Sequence, residues 1–388
     1  MPVLNPFKGI IPNPDLASEI INGREFYSFP LISSLFRDYL ESGKIKEEPG
    51  PCFYIYRIGL PDKSFSGLWA STQVDDLTNG TILKHEKIHT ERSLWVEEMF
   101  KEKRIDFNPI LITYFPEPEI DQWILNVQSS KPIISIKEEK ENALHEIWRV
   151  SDPNLVNWVQ TRFKTINPVY LADGHHRAQA FQNWIETEFP SNEILNSKIP
   201  GFSSIYFSLN EVEIKAYHRV FSLFDPGQLD RVMDKIRDFF ILEKTDRMEI
   251  PNQKGDFFMI NFRKEMYFMK PKKDFKMKFM GLDSTSRVSE IKSHLDVSIF
   301  QDLVLSECLN MGTNQALGEL NYMGGRHSED SIKEKVFMGE YSFGFLLAPP
   351  EFDEIKAISE AGLFMPQKST YFEPKIPSGL IIQKLDKE

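Results

Sequence analysis

The sequence predicts an α+β fold of mixed sheets with peripheral helices. Three observations predict it. Short apolar, β-prone runs recur between turn dipeptides, amphipathic stretches at helical spacing stand among them, and the two do not alternate as regular βαβ units. The chain has 388 residues, enough for a substantial core and more than one lobe.

In chain order, a helix is expected near Leu31 to Leu40. Cys52 to Ile58 and Ser64 to Gln73 read as a hairpin around the Pro61-Asp62 turn. Thr90 reads as the N-cap of a helix carrying Leu94, Trp95, Met99 and Phe100. Pro109 to Phe115 reads as a strand, and residues 120 to 165 carry mixed signals. Strands are expected at Gly201 to Leu209 and Ile214 to Phe221, and an amphipathic helix at Asp225 to Phe240. Phe257 to Phe262 and Met266 to Met269 form a second expected hairpin, followed by a helix at Ser298 to Leu309. Tyr341 to Leu347 is strand-like, Asp353 to Ala361 is a helix stopped by Gly362, and Gly379 to Ile382 is a last strand. The expected division is 1–220 and 221–388, with the Lys368-Ser369-Thr370 turn of the second lobe packing back on the first.

Composition narrows the partners. A net charge of -11 argues against non-specific nucleic-acid binding. No stretch of about 18 apolar residues appears, so no membrane partner is expected. The N-terminus shows no signal peptide, and two distant cysteines, Cys52 and Cys308, suit a reducing compartment. A soluble cytoplasmic protein is the expectation. The oligomeric state is left open, a homo-oligomer included.

The stretch most suggestive of chemistry is Tyr170-Leu171-Ala172-Asp173-Gly174-His175-His176-Arg177. It reads as strand, sharp turn and helix start, with Asp173 as N-cap and Gly174 permitting close backbone approach. Ala178, Phe181, Trp184, Ile185 and Phe189 continue at helical spacing. Such a junction aims backbone N–H groups at an anion, and His175, His176 and Arg177 add donors for a phosphate. Singly, each has a bland use in backbone hydrogen bonds or surface ion pairs; the cluster is what favours a ligand.

His85-Glu86-Lys87-Ile88-His89 matches H-E-x-x-H, a zinc-hydrolase pattern that needs both histidines on one helix face. With Thr90 as cap, they precede the helix. Glu86 alone is an ordinary solvated glutamate, and Lys368-Ser369-Thr370 a polar turn able to hold an anion. His218-Arg219 reads as a strand-edge pair, and Met323-Gly324-Gly325-Arg326 as a turn with weak phosphate-binding character.

Together, Pro6-Phe7-Lys8-Gly9, Lys84-His85-Glu86, Tyr170 to Arg177, Tyr217-His218-Arg219-Val220 and Met365 to Lys375 resemble, in order, the DUF1015 family. That family is similar in turn to the free-serine kinases built on the ParB/sulfiredoxin fold. The resemblance implies a ParB/sulfiredoxin-like core in 1–220. It implies Glu86 as catalytic base, and Asp173 as a second catalytic residue and ligand of Mg2+. Gly174, His175, His176 and Arg177 would bind the phosphates of ATP or ADP, and Lys368, Ser369 and Thr370 a small hydroxyl acceptor. The kinases follow their late turn with an Arg-His pair, where this chain has Tyr371-Phe372. ParB proteins proper bind CTP and DNA; the acidic balance and the lack of an evident helix-turn-helix set that reading aside. The expected function is thus a nucleotide-dependent, serine-kinase-like phosphotransferase. The alternatives are a non-catalytic nucleotide- or phosphate-binding protein and a zinc-dependent hydrolase.

Overall fold

A computed structural model describes residues 1–23, 36–87, 90–189, 199–273, 295–314 and 316–385. Residues 31–35, half of the Leu31 to Leu40 helix expectation, lie outside them; residues 36–41 are helical. The fold is α+β. The chain forms two compact units. The first holds Met1–Lys84, Ile88–Glu213 and Pro374–Glu388; the second holds His85–Lys87 and Ile214–Glu373. The change thus falls at Glu213/Ile214 rather than at 220/221, and both the His85–Lys87 segment and the C-terminal segment cross the expected division.

The first unit is built on a nine-stranded sheet. Its strands are β1 (Leu4–Asn5), β2 (Phe53–Gly59), β3 (Ser64–Thr72), β4 (Ile82–Leu83), β5 (Ile110–Tyr114), β6 (Ile134–Glu138), β7 (Ala143–Val150), β8 (Val169–Asp173) and β9 (Phe202–Ser208). The order is β4-β8-β5-β9-β3-β2-β7-β6, with β1 on β3. β4 with β8 and β5 with β9 are parallel. The β2–β3 hairpin forms as expected, with Tyr54 opposite Trp69. Both strands are nearly all buried, with Ser66, Ser71 and Thr72 among the buried residues of β3.

Helices cover this sheet. The Thr90–Lys103 helix meets the His175–Glu188 helix through Phe100, whose ring lies 5.3 Å from Phe181 and 5.9 Å from Trp184. Ala178, Phe181, Trp184 and Ile185 are buried, so the stripe at helical spacing is the core face of that helix. Two further helices have plain starts. Asn13 accepts from the Leu16 N–H before Pro14, and Asp152 accepts from Asn154 and Leu155 before Pro153.

The second unit contains an antiparallel six-stranded sheet. Its strands are β10 (His218–Leu223), β11 (Phe240–Lys244), β12 (Phe257–Asn261), β13 (Met266–Pro271), β14 (Gly318–Met323) and β15 (Phe343–Leu346), in the order β11-β13-β12-β15-β10-β14. The strand expected from Ile214 to Phe221 is broken at Ala216 and Tyr217. The expected Ser298 to Leu309 helix starts at Asp296 and widens to a π-helix over Gln301–Cys308. The last strand is Ile382–Lys384, later than expected. Cys52 and Cys308 are buried thiols. Among the described residues, no helix is long and apolar enough to cross a membrane.

Candidate functional site

In the first unit, β8 ends at Asp173 and the helix begins at His175, with Gly174 between them in the left-handed region at φ +100°. The expected cap is corrected here. Gly174 occupies the N-cap position, and no side chain caps the helix. The Asp173 carboxylate is used otherwise: Oδ1 accepts from Lys375 Nζ at 2.7 Å, and Oδ2 from Arg177 Nη2 at 2.9 Å. Burial would raise its pKa, but Lys375 and Arg177 outweigh that and hold the carboxyl well below the usual range. Each ion pair is partly exposed, so it stabilises by about 1 kcal/mol or less.

Arg177 folds back over Gly174. A Cβ there would lie 2.8 Å from Nη2 and 2.9 Å from Nε. That Nε is buried and has no hydrogen-bond partner. His175 is buried and its charge also bears on Asp173. The first intrahelical bond is from the Ala178 N–H to the Gly174 carbonyl, at 2.9 Å. A bare Cα, an unpaired guanidinium N–H and a helix start make a cradle suited to a phosphate oxygen. The same geometry does not fit magnesium at Asp173. Both oxygens of that carboxylate already face cations, whereas a magnesium site needs open carboxylate oxygens in octahedral array. Among the described residues, no group of three or more His, Cys, Asp and Glu is placed to hold a metal.

Asp106 lies near the same charge. It is buried and accepts from the backbone N–H groups of Ser203 at 2.9 Å and Asn108 at 3.3 Å. Burial pushes its carboxyl up to about 6, against the lowering effect of those bonds and of Arg177. The folded value exceeds the ordinary 3.8, so the folded state binds the extra proton between them. The contribution of Asp106 to stability is therefore greatest below about pH 4, falls as pH rises to about 6, and is flat above, by a span on the order of 3 kcal/mol. Asp106→Asn should flatten this slope in melts run across that range; an unchanged slope would remove Asp106 from the account.

In the second unit, His85 and Glu86 are extended, not helical. Glu86 bridges Met365 in parallel, and the Met365 N–H donates to the His85 carbonyl at 2.8 Å. His85 is fully buried, with Nε2 3.0 Å from the Thr370 hydroxyl and its ring 5.9 Å from Phe372. His85 and Glu86 are not on a helix, so the described part of this segment does not form the zinc-hydrolase geometry; Ile88 and His89 lie outside the described residues. Instead, the His-Glu motif is joined to the late turn across 285 residues.

Within that turn the three expected acceptor-binding residues differ. The Ser369 hydroxyl donates to the Pro366 carbonyl and the Thr370 hydroxyl meets His85, so both hold the turn together. Lys368 stands at φ +56°, its Nζ 4.9 Å from the Tyr217 ring centre. Beside it, Ser369 and Tyr217 line a cavity of about 10 Å³, the size of one water, together with Asp296 and Glu354. Burial pushes Asp296 up to about 6.

Sequence reasoning missed Lys375 as the partner of Asp173. It stands in the late stretch, but nothing local ties it to a residue 202 positions away.

Residues 10–298 match the family described as "Protein of unknown function (DUF1015)". Among solved structures, the chain is similar to a free serine kinase in complex with AMP, at 14% identity and TM-score 0.36, covering 83% of this chain and 95% of that one. It is similar to a conserved hypothetical protein from Pyrococcus furiosus, at 13% identity and TM-score 0.35, with coverages of 82% and 95%. A third is SbnI with C-terminal truncation from Staphylococcus aureus, at 12% identity and TM-score 0.36, with coverages of 80% and 87%. No functionally curated protein matches.

Proposed function

The chain belongs to the DUF1015 family, and on that footing we propose that it is a nucleotide-dependent phosphotransferase acting on a small hydroxyl compound. The observation that carries this reading is the joining of His85-Glu86 to Lys368-Ser369-Thr370 in the second unit. A carboxylate able to take a hydroxyl proton and a turn suited to an acceptor are held in one place by long-range contacts. In the first unit, taken by itself, the Gly174 to Arg177 cradle is suited to a phosphate group.

Phosphoryl transfer is mostly positioning and charge neutralisation. Glu86 accepts the proton of the acceptor hydroxyl as its oxygen bonds to the transferred phosphorus. The bond from that phosphorus to the leaving phosphate oxygen breaks. Arg177 and the helix start neutralise charge on the phosphate oxygens, and Asp173 positions Arg177 and Lys375. The ParB/sulfiredoxin-like core belongs to the same proposal.

The test is turnover. Purified protein with ATP or ADP, magnesium and a panel of hydroxyl amino acids should yield a phosphorylated product, read by phosphorus NMR. Nucleotide binding without product would leave the non-catalytic binding reading, and neither binding nor product would sink both.

A further inference from the structure

One face of the second unit's sheet holds a cleft of about 390 Å³, away from the His85 and Ser369 contacts. Small-molecule sites span roughly 300–1,000 Å³, so the cleft is of ligand size. Its floor follows from strand register. Glu243 of β11, Phe268 of β13 and Phe258 of β12 stand directly opposite one another, so the three side chains share a face. Phe258 is fully buried, and its ring meets that of Phe268 edge to face with centres 6.5 Å apart. Leu346, next in the row on β15, clusters instead with Ile332 and Val336 of the Ser328–Phe337 helix. On the β11 side, Ile241 is left 52% exposed.

The charges around the floor divide into two sets. Lys270 sits over the Phe268 ring at 5.5 Å and pairs with Glu243 at 2.7 Å, and Lys244 pairs with Glu265 at 2.8 Å. Those three cleft charges are met within the protein. Arg247 and Glu249 also line the cleft, and among the described residues neither forms an ion pair. The loop that carries them is pinned where it leaves the sheet. The Thr245 N–H donates to the Met266 carbonyl at 3.0 Å, and the Arg247 N–H to the Thr245 hydroxyl at 3.2 Å. An exposed charge on an open surface ordinarily ends in water. Here one uncommitted guanidinium and one uncommitted carboxylate share a cleft with an aromatic floor. That set is complementary to a zwitterion with an apolar body.

We propose that this cleft binds a free α-amino acid with a large apolar side chain. Its carboxylate meets the guanidinium fork of Arg247, its ammonium donates to Glu249, and its side chain packs on Phe258 and Phe268. A serine-sized side chain would leave the aromatic floor wet, so the hydroxyl acceptor of the phosphotransfer reading is not the ligand expected here. The cleft stands whether or not phosphate is transferred at Glu86.

The experiment is a calorimetric titration of the full chain with L-phenylalanine, L-tryptophan and L-leucine. L-Serine, phenethylamine and 3-phenylpropionate serve as comparisons at matched ionic strength. At least one of the three apolar amino acids should bind saturably and one to one. The amine, which lacks the carboxylate, and the acid, which lacks the ammonium, should each bind about tenfold or more weaker than phenylalanine. Arg247→Gln and Glu249→Gln, both changes at exposed side chains, should each weaken amino-acid binding by a similar factor. Arg247→Gln should leave phenethylamine binding as in the parent, and Glu249→Gln should leave 3-phenylpropionate binding as in the parent. Melts without ligand should match the parent for both. Absence of saturable binding by all three amino acids overturns the proposal. So does binding that both variants leave unchanged, because the ligand then sits elsewhere. A chain that phosphorylates nothing yet binds in an Arg247-dependent way defeats the phosphotransfer reading alone.

Discussion

Glu86→Gln should leave nucleotide binding within about twofold of the parent and lower phosphorylated product by about 10²–10⁴-fold. The amide is nearly isosteric but cannot accept the acceptor's proton. The backbone at residue 86 is fixed by its bridge to Met365 and by the buried His85 beside it, so the variant should fold normally. Circular dichroism and nucleotide titration would establish the fold and the binding, and the product assay the chemistry. Parent-like turnover would remove Glu86 as the base. A parallel loss of nucleotide binding would point to a structural defect instead.

Gly174→Val should abolish binding of nucleotide and of inorganic phosphate at the first unit's helix start. It should also lower stability by about 1–3 kcal/mol. Two effects act together. At φ +100° a β-branched residue is strained whatever space surrounds it. The new Cβ would also lie within 3 Å of the Arg177 guanidinium, which must swing away from its place beside Asp173. The paired change Gly174→Ala with Arg177→Ala separates them, because it removes the collision and keeps the backbone strain. Calorimetric titration with phosphate and urea melts would read binding and stability separately. Parent-like binding by Gly174→Val would show that the bare Cα is not what admits the ligand.

Local chemistry made much of this molecule readable before its structure. Asp173-Gly174 was readable as a junction because glycine is the residue that turns a strand into a helix through positive φ. The stripe from Ala178 to Ile185 was readable because a helix with one buried face has a fixed period. The β2–β3 and β12–β13 hairpins were equally plain. Two helix starts, Asn13-Pro14 and Asp152-Pro153, carried ordinary cap signals that were passed over. β14 was missed for another reason. Gly318–Met323 is a largely polar edge strand whose order comes from pairing with β10, not from its own side chains.

The site was readable only in pieces. Nothing near His85 announces Thr370, and nothing near Asp173 announces Lys375, because pairings over hundreds of residues are made by the fold. The Asp173 cap expectation failed on that account: a cation brought from the end of the chain competes with the helix for the carboxylate.

The division of the chain also constrains how the protein can be taken apart. The polypeptide passes between the two units at Lys84/His85, Lys87/Ile88, Glu213/Ile214 and Glu373/Pro374. A gene fragment running from Ile214 to Glu373 would therefore encode the late turn without the tripeptide that binds it. Recombination by whole-domain exchange would separate Glu86 from Thr370, and a swap that preserves them must carry a three-residue graft from far upstream.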